Sequence, residues 1–380
     1  MASAREMPYR RAGQVDGTPA ALGCAYCVPE GDDRVIHIEI GDRFRATACC
    51  LLLTPYAEEN LTYHLPHPLR VATLAAIKSH RDHPCAKLFR EHAAAGNFGG
   101  QFYSLGAWLT TCHPFSWTAS PAEITSQGGI WPEALERLAA DGSYPALLTS
   151  FLEDAKLPRV WRSLQREWTR VAEQCRAALI RYDVEGWMLS FWGPPTKRLV
   201  LVPNPTDPPT FGFGPSNRTE ALCIVGPPAV PKETPDGETE ALFDYAHGDG
   251  VADLVVHEFG HSYLAQAREA ISHVAEQTAE VGRSLQLKDW FPKMYGEWPM
   301  QLEEIILRAA QATWRAEKVS RRSADEYVQN ESDRFGLAVL PPMYHLLLEQ
   351  RINGVSPMPE GVARTARQAL ERFRTRTLPR

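Results

Sequence analysis

Residues 251–265 read Val251-Ala-Asp-Leu-Val-Val-His-Glu-Phe-Gly-His-Ser-Tyr-Leu-Ala265. Histidines four residues apart on a helix stand one turn apart on the same face, so His257 and His261 can present imidazoles to one metal ion. Glu258 follows His257 directly, where its carboxylate can reach over the same ion and take a proton from water held there. Val251, Leu254, Val255, Phe259 and Leu264 give this helix an apolar setting. Two histidines and a glutamate fit poorly in such a setting unless something satisfies them. Gly260 weakens a helix interior, and its place here points to close helix packing or to a substrate approaching the backbone.

Two histidines leave a zinc site incomplete, since a third protein ligand normally accompanies them and one position stays open for water. No HxxGxxH continuation follows His261, and His273 is twelve residues on. The segment Trp298-Pro-Met-Gln-Leu-Glu-Glu-Ile-Ile-Leu-Arg-Ala-Ala310 is the stronger source. Pro299 near its start and the apolar run behind it predict a helix against the core. Glu303 and Glu304 are its two candidates. Leu302, Ile305, Ile306 and Ala309 define the buried face, which places Glu303 nearer that face and Glu304 farther off. Arg308 one turn after Glu304 suits support of a ligand or the anchoring of a substrate carboxylate.

The 380 residues suffice for a large core in one domain or two closely packed ones. Net charge is −6, with 44% hydrophobic and 23% charged residues. This balance supplies no basic field for nucleic acid and no apolar span for a membrane. The first residues, Met1-Ala-Ser-Ala-Arg-Glu-Met-Pro-Tyr-Arg-Arg11, lack the apolar segment of a secretory signal, and the scattered cysteines fit a reducing compartment. A cytoplasmic location is the expectation. Cys24-Ala-Tyr-Cys27 is a lone CxxC with no matching second pair, and a structural or incidental role is expected for it. His80 and His83 have a spacing that could suit two ligands but no established partner pair, and His113-Pro114 is a weaker signal still.

The organisation predicted is α+β: a predominantly helical fold with a small central β-sheet leading into the HExxH helix. Residues 1–34 form an irregular arm, 35–182 a mainly helical subdomain, and 183–380 the subdomain that carries the motif. Val35–Ile40, Gly186–Gly193, Arg198–Val202 and Ala221–Val225 read as strands, and Ala46–Leu53 as a buried strand or the start of a helix. Positions 70–94 and 131–182 carry long helical patterns. Trp161, Leu164, Trp168, Val171 and Cys175 mark the packed side of one helix. Thr210-Phe-Gly-Phe-Gly-Pro215 is too irregular for a phosphate loop, and Gly226–Thr239 reads as a Pro- and acid-rich connector.

Over roughly residues 35–350 the chain resembles the zincin-like proteins of the DUF4932 family (domain of unknown function 4932). The shared pieces are Ser79-His-Arg-Asp-His-Pro84, the Phe151 region, the Trp192-Gly193 turn, Val256–Tyr263, the Glu304–Ala309 segment and Arg334-Phe-Gly336. The resemblance implies a gluzincin-type zinc centre with His257 and His261 as ligands and Glu258 as base. The family's later glutamate, four residues before an arginine, falls on Glu304. Family members often place Asn-Pro where this chain has Ala265-Gln266, so the floor beside the metal is expected to differ.

The function expected on these grounds is zinc-dependent hydrolysis of a peptide or a small amide-containing substrate. Hydrolysis of a non-peptide amide or ester uses the same water chemistry. A catalytically inactive zincin-like binding protein would have no use for Glu258. An oxyanion donor is required as well, with Tyr263, Tyr295, Tyr327, Tyr344, His345 and Arg308 as candidates. Asp253, one turn before His257, could orient a ligand, cap the helix or form a salt bridge.

Overall fold

A computed structural model describes residues 34–55, 67–94, 100–127, 133–208, 211–233, 239–246 and 248–377. Cys24, Cys27 and the predicted N-terminal arm, apart from its last residue, lie outside these. The sheet is built from β1 (Ile36–Ile38), β2 (Arg198–Pro203), β3 (Gly212–Phe213) and β4 (Glu220–Val225) in the order β1-β2-β4-β3. β1, β2 and β4 are parallel, with Leu201 opposite Cys223, while β3 pairs antiparallel to β4 as an edge strand. After their first residues, β2 and β4 are buried throughout. That explains their unbroken apolar runs, because a parallel strand covered on both faces has no solvent side to mark with polar residues. The expected connector at 226–239 contains β5 (Ala229–Glu233), which pairs antiparallel with β6 (Thr239–Phe243).

Helices make up most of the remainder. Before β2 come α1 (Asp42–Leu51), α2 (Pro68–Ile77), α3 (Pro84–Ala94), α4 (Gly100–Gly106), α5 (Pro121–Gln127), α6 (Glu133–Asp141), α7 (Ser143–Asp154), α8 (Leu157–Ser163), α9 (Gln165–Arg181) and α10 (Val184–Trp192). After β6 come α11 (Gly250–Leu264), α12 (Arg268–Gln277), α13 (Ala279–Ser284), α14 (Trp290–Tyr295), α15 (Trp298–Lys318), α16 (Arg321–Phe335), α17 (Leu340–Ile352) and α18 (Met358–Thr377). The α+β expectation holds at this level. Among the described residues no helix is long and apolar enough to cross a membrane.

Several local readings change. Gly186–Gly193 is helical, not a strand: it lies in α10, where Val184, Trp187, Met188, Phe191 and Trp192 are buried at helical spacing. A short, almost wholly apolar run hides that period. Ala46–Leu53 is the second half of α1 and the turn after it. The pattern at 70–94 breaks between Ile77 and Pro84, and that at 131–182 divides into α6, α7, α8 and α9. The aromatic stripe survives one such break: Trp161 on α8 and Trp168, Val171 and Cys175 on α9 are buried, with the Arg45 guanidinium 4.3 Å and 4.8 Å from the two indole rings. Buried apolar side chains form one cluster from Ile36 to Leu370, crossing the expected boundary at 182/183.

The core positions α11. It packs on β3 and β4 on one side and against α15, α9 and α10 elsewhere. Gly260 meets α15 at Leu307, where an added Cβ would come within 2.5 Å of Leu307 Cδ2. Of the two roles open to this glycine, the structure assigns close helix packing. Gly336, at the end of α16, has φ +75°, and a Cβ there would sit 2.1 Å from the Gln286 carbonyl oxygen. Only glycine suits that cap.

The loop from β2 to β3 is fixed by a buried polar knot. Asp207 accepts a hydrogen bond from the Tyr103 hydroxyl, Arg70 donates to the Asp207 carbonyl, and Asn204 donates to Tyr103 at 3.3 Å. Burial pushes the Asp207 carboxyl up to about 7, against the opposing pull of Tyr103 and Arg70. Between about pH 4 and 7 the folded chain therefore keeps a proton that the unfolded chain has lost, and this residue's contribution to stability falls as pH rises through that window. Urea unfolding of wild type and Asp207→Asn at pH 4.5 and pH 7.5 should show the variant gaining on wild type as pH increases; a pH-independent difference would contradict this assignment.

Candidate metal centre

Helices α11 and α15 bring His257, His261 and Glu304 together, with one donor atom from each inside a 4.8 Å span. His261 Nε2 lies 3.3 Å from Glu304 Oε1, and His257 Nε2 lies 3.7 Å from Glu304 Oε2. Donors about 2.1 Å from a tetrahedral ion stand about 3.4 Å apart, so the set fits zinc. Glu304 is buried, whereas Glu303 is partly exposed and accepts from His261 Nδ1 at 3.0 Å. The helical pattern alone pointed the other way. It assumed one buried face, but from Glu304 to Trp314 every residue of α15 is buried.

The outward ring nitrogens decide which nitrogens face the cluster. His257 Nδ1 lies 2.9 Å from Gln311 Oε1, which also accepts from the Tyr327 hydroxyl at 2.7 Å. Gln311 Nε2 donates to the Asp253 carbonyl at 3.2 Å, and that requirement fixes the amide orientation. His257 therefore carries its proton on Nδ1 and turns an Nε2 lone pair toward Glu304. Burial holds its pKa down to about 4, so it stays neutral. Glu303 sets the same tautomer on neutral His261. Lone pairs and a carboxylate converging with no donor between them call for a cation. With a proton as that cation, His261 would titrate well above its ordinary value: burial opposes the charge, but Glu303 and Glu304 outweigh it.

Glu304 is held by Arg308, which donates to its carboxylate and also to Glu331 at 2.9 Å and to the Tyr295 hydroxyl at 3.0 Å. Burial raises the Glu304 carboxyl, yet the two histidines and Arg308 prevail and hold it well below the usual range. Asp253 pairs with Arg315 at 2.9 Å, so the salt-bridge expectation fits its side chain while its carbonyl serves Gln311. Glu304, Arg308, Gln311 and Arg315 recur at intervals of four, three and four. They form a polar stripe on an otherwise apolar helix, a signal present in the sequence but unused for Gln311 and Arg315. Tyr327 and Glu331, one turn apart on α16, answer that stripe.

The cluster opens into a cleft of about 1170 Å³ lined by α11, α14, the start of α15 and strand β3. Glu258 is buried at its wall, and burial pushes its carboxyl up to about 7; Glu304 adds to the rise while His261 opposes it. Gly212 of β3 and Gly214 just after it make room for it. A Cβ at Gly212 would lie 2.5 Å from Glu258 Oε1, and one at Gly214 2.9 Å from Oε2. These positions belong to the segment that sequence reading left without a role. Ala265 and Gln266, where the family pattern has Asn-Pro, line the same cleft.

Of the candidate oxyanion donors, Tyr295 lines the cleft. Tyr263 stacks on Trp192 at 5.8 Å, Tyr327 serves Gln311, and Tyr344 donates to Asp325. His345 lies beside Arg321, and Arg308 is engaged by Glu304 and Glu331. His273 is outside the cluster and pairs with Gln277 at 2.8 Å. His80 and His83 meet Asp154 and Ser150, and His113 meets Asp42 at 3.0 Å. Among the described residues, His257, His261 and Glu304 are the one group placed to hold a metal.

No protein-family model matches the chain, and searches of curated proteins and of solved structures likewise find no match. The resemblance to the DUF4932 family therefore rests on the quoted motifs alone.

If Gln311 orients His257, Gln311→Leu should weaken zinc binding by about 10- to 100-fold, the usual cost of losing a group that orients a ligand. Glu304→Ala should weaken it further, and Glu303→Ala less than Glu304→Ala. Competition with a chromophoric chelator ranks the three; tighter binding by Glu304→Ala than by Glu303→Ala would reverse the assignment.

Proposed function

We propose that this chain is a zinc-dependent hydrolase, acting on peptide bonds with Glu258 as general base. The observation that carries this reading is the position of the Glu258 carboxylate. It stands on the same cleft wall as the His257, His261 and Glu304 donor set, against Gly212 of β3. Bound zinc would act as a Lewis acid on the carbonyl and bring a water proton within reach of a neutral-pH base.

The chain's own groups supply the remaining steps. Glu258 takes a proton from a cleft water on one carboxylate oxygen and returns it to the departing amide nitrogen. Burial raises the Glu258 carboxyl above its ordinary value, which favours its holding the proton between the two halves of that transfer. The Tyr295 hydroxyl accepts from Arg308, so its own proton remains available for oxygen charge developing in the cleft. Arg308 keeps Glu304 in place and ionised. The edge strand β3 pairs with β4 on one side, and an extended peptide laid along its other side would find backbone partners. The open cleft of about 1170 Å³ has room for such a chain.

Glu258→Gln should bind zinc as wild type does and lose at least about 100-fold in kcat on a cleavable peptide, the lower range for removal of a general base. Gly212→Ala should also retain zinc but lower kcat, because the new methyl displaces Glu258 Oε1. Metal analysis with cleavage assays on a mixed peptide library checks both variants. Undiminished cleavage by Glu258→Gln would contradict the proposed base.

A further inference from the structure

The cleft also carries cations away from the His–His–Glu cluster. Lys197, at the start of β2, and Arg268, at the start of α12, both line it. Carboxylates lining the cleft among the described residues are Glu258, Glu303 and Glu304, and all three surround the metal cluster. Lys293 on α14 also lines the cleft. Three arginines away from Lys197 and Arg268 are matched: Arg43 with Glu39 and Glu220, Arg308 with Glu304 and Glu331, Arg315 with Asp249 and Asp253. Among the described residues, no carboxylate forms an ion pair with Lys197 or Arg268. In a chain of net charge −6, cations without a carboxylate partner on one cleft stand out from the general balance.

Their placement is ordered. Lys197 Nζ donates to the Asn217 carbonyl at 2.6 Å and to Ser216 Oγ at 3.4 Å, just beyond the glycines that frame Glu258. An ammonium has three donors, so one remains for a ligand. Arg268 is close enough for its charge, together with burial, to lower the Lys197 ammonium below its ordinary value. An anion between them would relieve that repulsion. Arg268 lies seven residues after His261, beyond a short 3-10 turn at Ala265–Ala267.

We infer that the cleft selects a peptide carrying a carboxylate, with Lys197 and Arg268 as its binding pair. This inference rests on the peptide-hydrolase reading and names its substrate class. The sequence offered Arg308 for a carboxylate-binding role, but Arg308 is already committed to two glutamates. The carboxylate could come from an Asp or Glu side chain or from a chain terminus; the chemistry at Lys197 and Arg268 is the same. Both cations are solvent-accessible, so the preference is modest and sensitive to salt.

The test uses full-length, zinc-loaded Glu258→Gln protein and fluorescent peptides of one neutral sequence. One arm moves a single Glu along a C-terminally amidated peptide, a second keeps Gln throughout with a free C-terminal carboxylate at varied distance, and the reference is neutral and amidated. The best-placed carboxylate should bind about 3- to 10-fold tighter than the reference. The arm showing the gain identifies its source. The gain should disappear in a Lys197→Gln/Arg268→Gln protein with an unchanged melting temperature, and shrink in 0.5 M salt. Equal binding of all peptides, binding of none, or a gain that survives the double substitution would overturn the inference. Wild-type kcat/KM on the same peptides separates the two claims. Acid-selective binding without cleavage defeats only the hydrolase reading, whereas cleavage of neutral and acidic peptides alike defeats only the selectivity.

Discussion

The close approach of α11 and α15 is the constraint on which the centre depends. The histidines stand on one helix and the glutamate on the other, so their meeting is a consequence of helix packing rather than of a local loop. Gly260 allows Leu307 to fill the space a Cβ would occupy, and the axes come near enough for His257 and His261 to face Glu304. Trp192, stacked on Tyr263, packs beside the same glycine. A larger residue at Gly260 would have to push back α15 or the Leu307 side chain. Either movement acts on donor separations that must be right to a few tenths of an ångström.

Burial makes this centre expensive to assemble and explains the groups around it. Removing one partner from a buried ion pair commonly costs about 3–5 kcal/mol, because the other is left charged and unsatisfied. Arg308 therefore does not face Glu304 alone; Glu331 shares it, and Tyr295 receives another of its donors. Gln311 performs a neutral version of the same task for His257, tied to the Asp253 carbonyl and to Tyr327. Three carboxylates, Glu258, Glu303 and Glu304, and three cations, Lys197, Arg268 and Lys293, line the cleft beside this assembly.

Much of the centre was legible in the sequence because helix geometry converts spacing directly into proximity. His257, Glu258 and His261 needed only the 3.6-residue repeat. The third donor was less accessible: Glu303 and Glu304 are adjacent, and their facing depends on how completely α15 is enclosed. A wholly buried helix has no polar side against which to read its orientation. The polar stripe from Glu304 to Arg315 would have settled that orientation, since each member stands three or four residues from the next. Strand β3 was out of reach for another reason. Gly212 and Gly214 matter for the room they leave beside Glu258, and absent side chains give no pattern. The α+β class and the strands at 198–202 and 221–225 were readable from apolar runs bounded by turns. The same cue misassigned α10, whose period is masked by its largely apolar composition.

The central claim is a single divalent ion bridging α11 and α15. The most direct measurement is a crystal structure of zinc-loaded protein with anomalous data collected on both sides of the zinc edge. One edge-dependent peak should lie within about 2.0–2.2 Å of His257 Nε2, His261 Nε2 and a Glu304 carboxylate oxygen. A peak at another group, or none between these three residues in protein shown to be folded and zinc-saturated, would contradict the account.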